Sequence, residues 1–293
     1  MSLEQITKLR EMTGAGMMDC KNALDEASGD LDKAAEILRK KGIVKAAKRA
    51  DKIAAEGTTL VKTEGNTAVV AEVNCETDFV AKNENFQAMV DVLVSHLLKV
   101  KPASLEEGLQ SKMENGQSVE EFITEHSGKI GEKITLRRFE MVSKEDGEVF
   151  GAYLHAGGKI STLTLLKGTD NEELARDVAM HAAAANPKCL SRDEVSQADI
   201  NKEAEIYREQ LKAEGKPENI IDNIIKGKMN KYYSENCLLE QPFIKDEDKT
   251  VAQYIKEQSG DTAELVKYVR YELGEGIDKK EIDYVKEVQE QLG

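Results

Sequence analysis

Residues Asn74-Cys75-Glu76-Thr77-Asp78-Phe79-Val80-Ala81-Lys82-Asn83 set a carboxylate and an aromatic ring side by side where a strand hands over to a helix. Upstream, Ala68-Val69-Val70-Ala71-Glu72-Val73 is a mostly apolar, β-branched run of strand type. Downstream, Phe86, Met89, Val90, Leu93, Val94 and Leu97 recur at helical spacing, which predicts a helix beginning near Asp78. Thr77 or Asp78 serves as its N-cap, a side-chain oxygen accepting an orphan backbone N–H and the negative charge meeting the positive end of the helix dipole. Phe79 then falls in the first turn, outside the apolar stripe, in a geometry suited to probing a partner. The competing reading folds Phe79 back onto its own chain as a hydrophobic staple.

A second chemistry is conceivable in the same stretch, with Cys75 as nucleophile and His96 or His155 as base. Its context argues against it: Cys75 closes a buried strand, where thiols are inert, and nothing nearby resembles a nucleophile elbow. Cys20, Cys75, Cys189 and Cys237 are far apart, without a CxxC pair or a histidine cluster, so neither zinc nor a disulfide framework is indicated and no cofactor is called for. His96 and His181 read as satisfied structural residues rather than ligands.

The 293 residues suffice for two or more compact units, and a hydrophobic content of 40% supports genuine cores. No run approaches a membrane span, and Met1–Arg10 leads directly into an amphipathic pattern without a signal-peptide core, so a cytoplasmic location is expected. A net charge of -14 and a pI near 5.0 disfavour general nucleic-acid binding and point to a protein partner. Arg39, Lys40, Lys41, Lys45, Lys48, Arg49 and Lys52 run against this acidity; they could touch RNA or an acidic surface, but a solvated helix end and linker accounts for them more simply.

The first 42 residues read as three short helices. Leu3, Ile6 and Leu9 mark the first, and Thr13-Gly14-Ala15-Gly16 breaks it. Asp19 opens a second with Cys20, Ala23, Leu24 and Ala27; Asp30 caps a third with Leu31, Ala34, Ala35, Ile37 and Leu38, ended by Gly42. So small a unit suits docking. Gly14 and Gly16 lack the strand and GKS/GKT of a phosphate loop and read as a tight turn. Met17 and Met18 follow that turn, and adjacent residues cannot both face one small core, so at least one is offered to a partner.

Beyond the basic segment the chain repeats a β-hairpin followed by a helix. Gly65-Asn66 and Gly157-Gly158 sit at the two turns, at the same separation as Thr77-Asp78 from Thr169-Asp170. His96 and His181, and Pro102 and Pro187, lie closer by seven residues, so the second copy has lost seven residues after its Thr-Asp pair, the Phe-Val-Ala-Lys-Asn region of the first. An insertion follows: Ile200, Ala204, Tyr207 and Leu211, a Gly215-Lys216-Pro217 turn, then Ile221, Ile224 or Ile225, Lys228 and Tyr232, an antiparallel helical hairpin. Thr250–Tyr271 and Asp278–Leu292 are amphipathic segments separated by Gly274-Glu275-Gly276. The expected fold is α+β, with boundaries at 1–53 (three helices and basic linker), 54–140 (first core subdomain), 141–194 with 234–272 (second), 195–233 (hairpin) and 273–293 (C-terminal helical module).

These segments resemble the bacterial translation elongation factor Ts family, the exchange factors of the GTPase elongation factor Tu. The resemblance covers nearly the whole chain. It is carried by Leu9-Arg10-Glu11-Met12-Thr13-Gly14-Ala15-Gly16-Met17-Met18-Asp19-Cys20-Lys21, by Glu72–Asn83 and by Lys129-Ile130-Gly131-Glu132. Gly215-Lys216-Pro217, Gln241-Pro242-Phe243 and Gly274-Glu275-Gly276-Ile277 extend it. It implies a ubiquitin-associated-like N-terminal domain that docks through Arg10, Met17 and Met18 on the partner's nucleotide-binding domain. It further implies that Asp78 and Phe79, flanked by Thr77 and Val80, enter near the partner's magnesium site, and that His155 meets another of the partner's domains. The inserted hairpin is then a candidate surface for higher-order assembly, and neither direct nucleic-acid nor membrane contact is expected. The family's usual Gly-Gly-Arg-Ile-Gly-Val is replaced here by Gly157-Gly158-Lys159-Ile160-Ser161-Thr162, a point charge in place of a two-pronged guanidinium. Such a factor needs no covalent chemistry: release follows from binding the nucleotide-free GTPase more tightly than the GDP form. The alternative is an adaptor or chaperone that binds a GTPase without affecting exchange.

Overall fold

The computed structural model describes residues 2–278, a mixed α+β chain with helices at its N-terminal end. Two compact units share the chain: residues up to Thr59, Ala71–Phe139 and the segment from Glu272 form the first, and Leu60–Val70 with Glu140–Tyr271 the second.

In the first unit, α1 (Leu3–Thr13), α2 (Met17–Glu26) and α3 (Leu31–Lys48) enclose Leu9, Cys20, Ala23, Leu24 and Ala34. Ser2 and Gln5 form a capping box at α1, Gly14 in the left-handed region ends it, and the Asp30 carboxylate accepts from the Asp32 and Lys33 N–H groups to start α3. Gly42 does not end α3 as the sequence predicts; the helix runs on to Lys48. The basic segment is thus largely helical, and several of its cations are paired: Lys41 with Glu26 at 2.6 Å, Lys45 with Asp19 at 3.0 Å and Arg49 with Glu76 at 2.6 Å.

Strands β1 (Glu56–Glu64) and β2 (Thr67–Cys75) are joined at Gly65-Asn66, and β3 (Thr135–Ser143) completes the sheet order β1-β2-β3. β2 is buried at every position, as befits the central strand. Gly57 has a φ of +133°, and a Cβ there would strike the Val73 carbonyl, so only glycine lets β1 lie this close. A single turn, α4 (Asp78–Ala81), precedes α5 (Glu84–Val100). The continuous helix predicted from Asp78 is therefore two: Asn83 caps α5 anew, its Oδ1 accepting from the Asn85 N–H at 2.9 Å. α6 (Leu105–Gln110) and α7 (Val119–Ile130) follow before β3.

The second unit holds β4 (Glu148–His155) and β5 (Ile160–Lys167), antiparallel from the Glu148–Lys167 pair to the His155–Ile160 pair. α8 (Glu172–Ala185) lies directly on them: a Cβ on Gly151 would collide with the Ala175 carbonyl, and the hydroxyls of Thr162 and Thr164 donate to the carbonyls of Ala179 and Ala175 at 2.8 and 2.7 Å. Then come α9 (Gln197–Ala213) and α10 (Glu218–Asn236). Leu211, Ile221, Ile225 and Met229 form their common core, with Ile200, Ala204 and Tyr207 against it. Lys228, expected in that seam, instead places its ammonium over the Tyr207 ring at 5.0 Å, and Met229 fills the buried position.

The short pair β6 (Pro242–Phe243) and β7 (Asp246–Thr250) leads to α11 (Val251–Ser259) and β8 (Glu264–Glu272). The amphipathic segment Thr250–Tyr271 is thus divided between a helix and a strand: Gly260, in the left-handed region, ends α11, and the remainder pairs beside β5 in the order β4-β5-β8. The segment expected over Asp278–Leu292 lies outside the described residues beyond its first.

Candidate functional site

Cys75 ends β2, and Glu76 and Thr77 carry the chain into α4. Thr77 is the N-cap: its extended backbone (φ -124°, ψ 153°) lets Oγ1 accept from the Val80 N–H at 3.3 Å. Asp78, the other candidate cap, is instead the first helical residue, where its charge opposes the helix dipole end favourably. Lys82 Nζ lies 2.7 Å from Asp78 Oδ2, and this hydrogen bond holds the Asp78 carboxyl below the usual carboxylate range while raising the Lys82 ammonium. Phe79 is 83% exposed. A staple would bury the ring, so the fold-back reading does not hold in this structure. Val80 is half-buried and Ala81 buried, so the turn is seated on its inner side and presents the ring on its outer side.

One turn of helix is not self-supporting, because nucleation fixes several residues for a single hydrogen bond. The support comes from elsewhere in the chain. Glu132 Oε2 accepts from the Glu76 and Thr77 N–H groups, both at 3.0 Å, and Oε1 accepts from the Thr77 hydroxyl at 2.6 Å. Glu76 returns the contact: its Oε1 accepts from the Lys133 N–H at 2.6 Å, and Arg49 holds both its oxygens at 2.7 and 2.6 Å. Although burial alone would raise it, the Glu76 carboxyl is held low by Arg49 and the Lys133 N–H. Glu132 and Glu76 carry no sequence signal of this role, and Arg49 is tied to Glu76 rather than belonging to a solvated linker. No local pattern marks a contact between residues 55 positions apart.

Beneath the loop, Glu72 is buried and fully engaged. It accepts from Arg137 at 2.9 Å, from Arg138 at 2.6 Å, from the Gly274 N–H at 2.8 Å and from Asn74 at 3.1 Å. Burial works against its ionisation, but the Gly274 N–H and the two guanidinium groups prevail and keep the carboxyl below its ordinary range.

Arg10, Met17 and Met18 lie on α1 and α2 of the same unit; Arg10 is exposed, and the methionines are 39% and 65% exposed. Both soft side chains are therefore offered to solvent. α3 reaches both regions, binding Asp19 of α2 through Lys45 and the loop before α4 through Arg49. His155 belongs to the second unit. It is exposed at the end of β4, its Nδ1 3.3 Å from the Tyr153 hydroxyl, beside a turn in which Ala156, Gly157 and Gly158 all have positive φ.

The nucleophile reading finds no geometry. The Cys75 thiol donates to the Thr77 carbonyl at 3.2 Å, and burial pushes it up to about 12. His96 pairs with the Ser111 hydroxyl at 2.9 Å. His181, buried, accepts the Ile244 N–H at Nδ1 and so carries its proton on Nε2 toward Gln241 Oε1 at 3.1 Å. Both imidazoles are structural, and burial lowers their affinity for a proton.

Among the described residues no helix is long and apolar enough to cross a membrane. The family model for elongation factor TS matches residues 76–275, more than half of the chain, from the loop that carries Thr77-Asp78-Phe79 to the Gly274-Glu275 turn beside Glu72. The chain belongs to the elongation factor Ts family, the nucleotide exchange factors of elongation factor Tu in translation elongation.

Proposed function

We propose that α4 is the working tip of the exchange reaction, with Phe79 as a wedge and Asp78 as the charge that disturbs the magnesium and phosphate site of elongation factor Tu. The observation that carries this reading is the exposure of Phe79, 83%, on a helical turn whose backbone is clamped from behind. A large ring left in water has no benefit to the free fold, and burying it in an apolar slot contributes about 2 kcal/mol. If the slot opens only in the nucleotide-free partner, that contribution is differential binding, and linkage requires GDP to weaken binding of the factor by the same ratio.

Asp78 needs a free carboxylate to act on a metal's ligands. Its ion pair with Lys82 joins exposed groups four residues apart, a class of interaction easily exchanged for another. Approaching the magnesium network, the carboxylate competes with the water and oxygen ligands that hold the ion, and the phosphates loosen with it. The metal belongs to the partner; this chain displaces it without keeping it.

Arg10, Met17 and Met18 dock on the partner's nucleotide-binding domain in this reading, and His155 on a second domain. Polarizable, unbranched methionines suit an adaptable contact. Residues 200–232 are offered for higher-order assembly.

Release of labelled GDP from elongation factor Tu tests the tip. Asp78→Ala should slow catalysed release chiefly at saturating magnesium and converge with wild type when magnesium is chelated. An equal loss in both conditions counts against the metal-linked role.

A further inference from the structure

The geometry points to Glu132 as a positioning residue for exchange, acting through Thr77 on the attitude of the Asp78-Phe79 turn. This rests on the reading of α4 as the working tip. A threonine hydroxyl has one proton. Thr77 gives that proton to Glu132 Oε1 at 2.6 Å, which turns its lone pairs toward the Val80 N–H at 3.3 Å and makes the cap. The other oxygen of Glu132 fixes the Glu76 and Thr77 N–H groups at 3.0 Å each, so one carboxylate orients the peptide planes and the capping hydroxyl together. Such hydrogen bonds to an ionised acceptor are about twice as strong as neutral ones.

Glu132 is itself firmly held. It follows Gly131, whose φ of 84° ends α7, and its own carbonyl accepts from the Ser127 hydroxyl. Lys133 next to it donates its N–H to Glu76 at 2.6 Å and its ammonium to the Ala50 and Lys52 carbonyls at 2.6 and 3.1 Å. The two loops clasp each other reciprocally: each supplies a glutamate to the other's backbone. A four-residue helix with this clasp has a defined direction; without it, the turn is free to fray and the ring to wander.

The test compares Glu132→Ala, Glu132→Gln, Thr77→Ser, Thr77→Val and Phe79→Ala in GDP release from elongation factor Tu, measured over a range of factor concentrations, with thermal melting of each free variant. Positioning predicts that Glu132→Ala lowers the saturated release rate roughly 10- to 100-fold, the scale of a misplaced functional group. The half-saturating concentration should stay within about twofold of wild type, because removing one contact on the clamp leaves docking residues elsewhere untouched. Thr77→Ser, which keeps the hydroxyl, should remain near wild type; Thr77→Val should resemble Glu132→Ala.

Where Glu132→Ala does not fold, Glu132→Gln and Thr77→Val carry the same test. A normal saturated rate in the Glu132 variants while Phe79→Ala is slow overturns the role of Glu132 and leaves the tip standing. A raised half-saturating concentration at normal maximal rate makes Glu132 a docking residue instead and also overturns it. Wild-type rates in both Phe79→Ala and the Glu132 variants remove the tip reading and this inference with it; slow Glu132 variants beside a normal Phe79→Ala show that Glu132 does not act through the ring.

Discussion

Gly42 of α3 and Gly128 of α7 face each other with no side chain between them, and the contact is not symmetric. A Cβ built on Gly42 would sit 3.7 Å from Gly128 Cα, an ordinary contact, whereas one built on Gly128 would lie only 2.5 Å from the Gly42 carbonyl oxygen. Gly42→Ala should therefore be tolerated or stabilising, since glycine within a helix costs about 1 kcal/mol relative to alanine. Gly128→Ala should destabilise by about 1–3 kcal/mol, the cost of overpacking against backbone. Thermal melting of the two variants checks the asymmetry; equal effects would mean that α3 and α7 do not approach as described.

Phe79→Ala separates surface from core. With the ring 83% exposed, the free protein should keep its stability within about 0.5 kcal/mol. Affinity for nucleotide-free elongation factor Tu should fall roughly 30- to 150-fold, the equivalent of about 2–3 kcal/mol at a buried interface ring. A free variant destabilised by about 3 kcal/mol or more, with binding nearly intact, would return Phe79 to this protein's own core.

The parts of this arrangement that were readable from sequence are those written in short periods. The stripe Phe86, Met89, Val90, Leu93, Val94 and Leu97 is the buried face of α5, and Leu211 and Ile221 flank the turn between α9 and α10. A stripe says little about where a helix is interrupted, so Asn83, a cap between Ala81 and Glu84, was absorbed into one long helix. β8 carries only a weak strand signal because charged residues surround Leu265 and Val269, the two positions it buries. The clasp of Glu132 on Thr77 is a property of the folded chain alone: neither residue stands in a pattern that names the other.

Glu72 supplies a prediction with a pH axis. Glu72→Gln removes the buried negative charge that Arg137 and Arg138 face while both guanidinium groups keep some contact with water, and a loss of about 1.5–3 kcal/mol is expected. In the wild type the carboxyl titrates below the ordinary glutamate value of 4.5, so as the pH falls the unfolded chain takes up this proton before the folded one does. The contribution is thus complete above 4.5 and declines as the pH drops from there through the lower native value. Chemical unfolding between pH 7 and pH 3 should show the gap between wild type and Glu72→Gln narrowing only at the acid end; a gap that narrows toward neutral pH would refute the assignment.

The thiols should be slow. Burial pushes Cys75 and Cys237 up to about 12, and it also raises Cys20 and Cys189. Because the thiolate is the reactive form, native protein treated with iodoacetamide near pH 7 should retain all four thiols far longer than the unfolded chain. Rapid, stoichiometric labelling of Cys75 in the native protein would revive a nucleophilic role.

Residues 200–232 should be removable without loss of the fold. Their core of Leu211, Ile221, Ile225 and Met229 is distinct from the cluster of Leu174, Val178, Leu238, Phe243 and Ile255 that α8 and α11 share. The chain on either side of the insertion is already brought together. The Lys188 N–H donates to the Asn236 carbonyl at 2.8 Å, the Leu238 N–H to the Cys189 carbonyl at 2.9 Å, and the Cys189 and Cys237 sulfurs are 3.3 Å apart. A short Gly/Ser linker in place of Ile200–Tyr232 therefore closes a gap without stretching the base, and lengthening or shortening such a surface connection changes closure entropy by only about 0.6 kcal/mol per doubling. The shortened protein should unfold in a single cooperative transition and retain most of its exchange activity, while any assembly that depends on the hairpin should be lost. Disappearance of the cooperative transition on replacement would show that α9 and α10 complete the core of the second unit.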